Sequence, residues 1–264
     1  MNDGLRFNTG EVELAYTEWP GDGPPVVALS GISGRRAAHL ARWEDGHHAF
    51  AYDHRGHGDS GRTPGTYSFV NYGRDCVAFL RGVVREPAIL VGHSLGGMTA
   101  IYAAAQAPEL VKAAFLVDPP LYAPEQPLRD EAGPFAAVEQ QAGLPLADLL
   151  ATGMEPYRAE AITRLDPGVM NAVNTQSGFE GWDTDALLDA IRCHVVLEHG
   201  DRDIEGMASV IHEGELERAL SHLKDVRVLH MPGTGHAPWM SAGAEFYAEL
   251  SKFIAEQRGA DPSA

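Results

Sequence analysis

Cysteine, cationic residues and long apolar runs are all scarce in this chain. Its 264 residues include only two cysteines, Cys76 and Cys193, in no paired spacing. That excludes a disulfide framework and a thiolate metal site, and leaves two buried thiols as the expectation. No stretch approaches the roughly 18 consecutive apolar residues of a membrane-spanning helix. The opening Met1-Asn2-Asp3-Gly4 has no basic segment followed by an apolar one, so the expectation is a soluble, cytoplasmic protein without a membrane partner. Lys and Arg number 20 against 37 Asp and Glu, a formal charge of −17. Such a field repels phosphate backbones, which argues against nucleic acid as a partner and favours a neutral small-molecule substrate. Oligomeric state has no signature in the sequence.

What is present is ordinary globular material. Hydrophobic residues make up 44% of the chain and charged residues 22%, enough apolar surface for one large domain with an insertion. Short apolar runs bounded by turn residues recur at Pro25 to Leu29, His48 to Tyr52, Ala88 to Val91, Ala113 to Val117, Val195 to Leu197 and Val226 to Leu229. They read as buried strands. Between them, Phe69 to Val84, Ala100 to Ala107 and Ala244 to Ile254 carry helical patterns. The alternation predicts an α/β fold: a mostly parallel sheet with helices on both faces and chemistry at the carboxyl ends of the strands. From Asp118 to about Asp183 no strand pattern appears, and Pro119, Pro120, Pro124, Pro127, Pro134 and Pro145 interrupt short helical segments. The expected organisation is a core of residues 1–118 and 184–264 with a helical cap over 119–183, overhanging the site as a lid.

The strand at Ala88 to Val91 runs directly into Gly92-His93-Ser94-Leu95-Gly96-Gly97, followed at once by a helical pattern. A serine on so sharp a turn needs glycine two residues to either side, because side chains there would collide with backbone. This nucleophile-elbow pattern makes Ser94 the candidate nucleophile. Serine needs a general base, and His236 lies in the Gly-rich Pro232 to Pro238 loop after the last strand. A carboxylate must hold the imidazole tautomer. Asp118, after the Ala113 to Val117 strand, and Asp203, after Val195 to Leu197, both qualify on spacing.

The order Ser, acid, His, the elbow, and Asp53-His54-Arg55-Gly56-His57-Gly58-Asp59-Ser60 together resemble the α/β-hydrolase superfamily over nearly the whole chain outside the cap. Ser30-Gly31-Ile32-Ser33 with Asp118-Pro119-Pro120 resembles the subgroup that includes 2-(acetamidomethylene)succinate hydrolase, whose acid follows the strand after the nucleophile helix. That resemblance places Asp118 slightly ahead of Asp203, which matches the commoner Gly-x-x-Asp turn. It also implies an oxyanion hole from the amides of Leu95 and Ile32. Many relatives carry His-Gly before the second donor, where this chain has Ser30-Gly31, so an imidazole that usually braces the loop is missing. His54, His57 and Asp59 look superficially like a metal cluster, but no second ligand group completes a shell. Arg55 is expected to hold loop carbonyls or a carboxylate.

The implied chemistry is hydrolysis of a small ester, lactone or amide through an acyl-enzyme, without cofactor or metal. Phe135, Leu149, Leu150, Met154 and Tyr157 would line the pocket or form the cap's own core. Carbon–carbon bond hydrolysis of a diketone, cofactor-free haloperoxidase or perhydrolase activity, and a non-catalytic ligand receptor use the same framework.

Overall fold

The computed structural model describes residues 1–36, 46–125, 134–203 and 208–259. Eight strands form one sheet: β1 (Asn2–Asn8), β2 (Glu13–Trp19), β3 (Asp22–Leu29), β4 (His47–Tyr52), β5 (Ala88–His93), β6 (Val111–Val117), β7 (His194–His199) and β8 (Val226–His230). They lie side by side in the order β1-β2-β4-β3-β5-β6-β7-β8. The β1/β2 and β2/β4 pairings are antiparallel, and every pairing from β4 to β8 is parallel. Strands β5 and β6 are almost wholly buried, which explains why they read as continuous apolar runs rather than alternating ones. β1, exposed at most positions and polar in composition, gave no such pattern and extends the sheet beyond the predicted strands.

Helices α1 (Phe69–Phe79) and α2 (Leu95–Gln106) follow β4 and β5. The predicted 69–84 helix ends in a wider turn over Leu80–Val84, and α2 begins at Leu95, within the elbow motif itself. After β6 the described residues of the interval form α3 (Pro134–Gln141), α4 (Leu146–Ala151), α5 (Pro156–Thr163) and α6 (Pro167–Asn174) and no strand. Proline opens α3, α5 and α6, where the missing N–H costs nothing. Helix α7 (Thr184–Ala190) returns the chain to the sheet, and α8 (Glu213–His222), α9 (Pro238–Ser241) and α10 (Gly243–Gly259) complete it. The last helix ends at Gly259, and residues 260–264 lie outside the described ones.

The core splits across the sheet. One cluster joins Val27, Leu29, Leu90 and Leu116 to Phe79, Met98 and Ile101, while the other joins Ile89, Val91 and Phe115 to Phe246, Leu250 and Phe253. Leu149 packs with Ala159 and Ile162, and Met154 lies against them. Two of the candidate pocket residues thus belong to an interhelical core. Leu150 and Tyr157 are partly exposed, and the side chain of Phe135 lies outside the described residues.

Candidate active site

The elbow follows from close approach. A Cβ on Gly92 would stand 2.3 Å from the Gly96 carbonyl oxygen, and one on Gly96 would stand 2.1 Å from that of Leu29. Neither position tolerates a side chain. Ser94 between them has φ 52° and ψ −116°, a left-handed backbone that costs a non-glycine residue on the order of 1–3 kcal/mol. Its N–H donates to the Val117 carbonyl at 3.0 Å, pinning the turn to β6. The side chain is partly exposed and makes no hydrogen bond among the described residues.

Asp118, fully buried, has the second non-glycine positive φ of the site, 42°. Its N–H donates to the Glu198 carbonyl at 2.9 Å. One carboxylate oxygen, Oδ2, lies 2.6 Å from Nδ1 of His236 and accepts the Val210 N–H at 2.8 Å. The other, Oδ1, accepts the Ser209 hydroxyl at 2.6 Å. Charge-assisted bonds of this kind hold an ionised carboxylate in one orientation. Asp203 is exposed on the bend after β7 and is not a partner of His236. The structure therefore joins His236 to Asp118 and leaves the other candidate acid apart.

His93 ties the elbow to the histidine loop. Its Nε2 is 2.7 Å from the His236 carbonyl oxygen, and the two rings lie 4.6 Å apart. Residues 94 and 236, more than half the chain apart in sequence, thus sit on the same side of the sheet. On the opposite flank, a Cβ on Gly31 would meet His93 Nδ1 at 2.7 Å and Ser94 Cβ at 3.3 Å, so the β3 loop passes directly over the serine. Among the described residues the amides of Ile32 and Leu95 donate to no carbonyl or side chain. Two free N–H groups beside a strained serine are what an oxyanion site needs.

The Asp53 to Ser60 loop has other duties than metal binding. Arg55 forms a two-pronged pair with Asp75, Nε to Oδ2 at 2.6 Å and Nη2 to Oδ1 at 2.7 Å, and also donates to the Thr66 carbonyl. Asp53 accepts the Asp59 N–H at 2.9 Å and the Arg36 N–H at 2.8 Å, and Asp59 pairs with Arg35, Arg36 and Arg164. Among the described residues no group of three or more His, Cys, Asp and Glu could hold a metal ion.

Ser209, Val210 and His93 left no mark in the sequence, since their roles depend on loops meeting across the sheet edge. Glu198 did leave one: a carboxylate directly after the apolar run Val195 to Leu197. It is fully buried, and among the described residues neither side-chain oxygen has a partner. Burial, with the charge of Asp118 second, pushes its carboxyl from an ordinary 4.5 up to about 9. The native state thus keeps a proton that the unfolded chain releases above about pH 4.5. This contribution to stability is whole below pH 4.5 and is lost as pH rises towards 9, on the order of 4 kcal/mol between pH 5 and 8 for one proton. Glu198→Gln removes this slope. Urea melts should show the variant gaining on wild type from pH 5 to pH 8; parallel curves would mean that Glu198 is already ionised in the fold.

Comparison with known proteins agrees with this architecture. Residues 17–250 match the model of the alpha/beta hydrolase family. A Variovorax paradoxus (strain S110) protein with the provisional name carbamate hydrolase RutD is 28% identical over 259 residues, covering 89% of this chain and 93% of that protein. The 2-(acetamidomethylene)succinate hydrolase of Mesorhizobium japonicum is 34% identical over 116 residues, 43% of this chain and 41% of that protein. A solved mutant of the N-acyl homoserine lactonase AidH, in complex with N-hexanoyl homoserine, superposes with a TM-score of 0.76 at 20% identity, over 97% of this chain and 98% of that one. At that identity the likeness speaks for the fold. The match to the family model spans most of the sequence, and the chain belongs to the alpha/beta hydrolase family as a hydrolase.

Proposed function

We propose that the protein hydrolyses small carboxylic esters, lactones or amides through an acyl-enzyme on Ser94. The observation that carries this reading is the 2.6 Å contact between Asp118 and His236 Nδ1 beside a serine strained on its elbow. With Nδ1–H held by the carboxylate, Nε2 is the ring's basic nitrogen and takes the Ser94 proton as Oγ attacks the carbonyl carbon. The amides of Ile32 and Leu95 receive the developing oxyanion. His236 then returns the proton to the leaving group, and a water activated by the same nitrogen releases the acid.

The segment 119–183 acts as a lid in this reading. Tyr157 of α5 accepts the Arg35 N–H at 3.2 Å and donates to the Arg35 carbonyl at 2.7 Å, three residues beyond Ile32. Asp166 donates its N–H to the Gly56 carbonyl at 2.8 Å. Both contacts seat the cap against loops that border the serine.

A panel of p-nitrophenyl esters of increasing acyl length, γ-lactones and anilides tests the activity. Wild type should turn over at least one class with burst kinetics, and Ser94→Ala should abolish it. Undiminished turnover by the alanine variant would end the proposal.

A further inference from the structure

The chain lacks the histidine that many relatives place before the Gly31 position, yet the carbonyls on both sides of that glycine are held by imidazoles. His54 Nε2 lies 3.2 Å from the Ser30 carbonyl oxygen, and His57 Nε2 lies 2.9 Å from that of Ile32. Both histidines are buried, and both come from one loop after β4. The Gly31 carbonyl, between them, accepts the Gly34 N–H at 2.9 Å. Three successive carbonyls of the β3 loop therefore face partners able to hold them, the Ile32 carbonyl when the His57 proton is on Nε2. In a trans peptide the N–H points opposite to the carbonyl, so tying down the Gly31 carbonyl aims the Ile32 N–H away from the turn. The neighbouring bonds stop the peptides on either side from rotating.

The geometry points to His54 and His57 as positioning residues that hold the oxyanion loop in place of the missing imidazole. This rests on the proposed role of the Ile32 amide. Burial drives the two rings down, His54 to about 3 and His57 to about 4, so each is neutral near pH 7 and has one N–H to donate. His57 lies between two carbonyls, with Arg55 O 2.9 Å from Nδ1. The tautomer with the proton on Nε2 is the one that serves Ile32. A preorganised donor contributes to rate only while its direction is fixed, because reorientation during the reaction forfeits the gain.

Amide side chains separate the two nitrogens. Glutamine places its N–H₂ near the former Nε2, whereas asparagine places it near Nδ1. With p-nitrophenyl acetate as probe, His57→Asn should lower kcat about 10–100-fold with KM within about twofold, less than the loss of a whole oxyanion donor. His57→Gln should recover all but about threefold of that rate. The pair His54→Asn and His54→Gln repeats the test through the Ser30 carbonyl, should His57→Asn fail to fold. Equal rates for the Asn and Gln variants at both positions, or a loss confined to KM, would overturn the inference. Ser94→Ala, assayed alongside, distinguishes the two levels. If it stays active, the acyl-enzyme reading fails and this inference falls with it; if it is dead while the Asn variants keep the wild-type rate, only the bracing role is refuted.

Discussion

Replacing Asp118 by alanine should lower kcat about 10,000-fold while leaving substrate affinity within a few fold. The loss has two parts. The Nδ1 of His236 would no longer have the carboxylate 2.6 Å away, so the ring would lose its tautomer and orientation. The imidazolium formed on proton transfer would also lose its counter-charge. Asp118→Asn separates these parts in this protein, because the Val210 N–H faces Oδ2 and the Ser209 hydroxyl faces Oδ1. Val210 can only donate, whereas a hydroxyl can turn and accept. The asparagine oxygen will therefore settle on the His236 side, preserving the tautomer and removing only the charge. Its rate should fall between those of wild type and Asp118→Ala. Asp203→Ala should change kcat less than about threefold. The reverse order of the two alanine variants in steady-state assays would exchange the roles of the two acids.

Arg55→Met should destabilise the fold by about 3–5 kcal/mol, because it leaves the Asp75 carboxylate buried without its partner. Arg55 and Asp75 are 1% and 2% exposed. That sets them apart from exposed pairs such as Arg81–Glu109, each worth at most about 1 kcal/mol. For a chain of this size the expected fall in Tm is roughly 10 °C. The double variant Arg55→Met, Asp75→Leu should recover more than half of it, since an apolar pair of similar volume carries no stranded charge. Full recovery is not expected: Arg55 also donates to the Thr66 carbonyl and hydroxyl. Thermal melts of the two variants measure the coupling, and a double variant no more stable than Arg55→Met would contradict it. Arg55 lies between His54 and His57, so the same substitution should also slow turnover.

Most of the fold is legible in strand periodicity alone. The buried strands β3, β5, β6 and β7 declare themselves because both faces are covered and apolar residues run together. β1 escaped because its sequence, Asn-Asp-Gly-Leu-Arg-Phe-Asn, is mostly exposed and rests on pairing with β2. The elbow was legible for a local reason: strand, Gly-x-Ser-x-Gly and helix are contiguous. Choosing an acid was not a local matter. Asp118 and Asp203 both follow strands, and what sets them apart geometrically is the contact of Asp118 with His236, on a loop 118 residues further on. The histidines at 54 and 57 resembled ligands in sequence because ring nitrogens suit metals and carbonyls alike. Their partners, Ser30 and Ile32, are invisible until β3 and β4 pair side by side.

The most direct trial of Ser94 as nucleophile is the site of covalent capture. Treated with a fluorophosphonate and digested for peptide mass spectrometry, wild type should carry one phosphonyl group on the peptide containing Ser94, and Ser94→Ala should carry none. An adduct on any other residue, or undiminished labelling of Ser94→Ala, would contradict the mechanism.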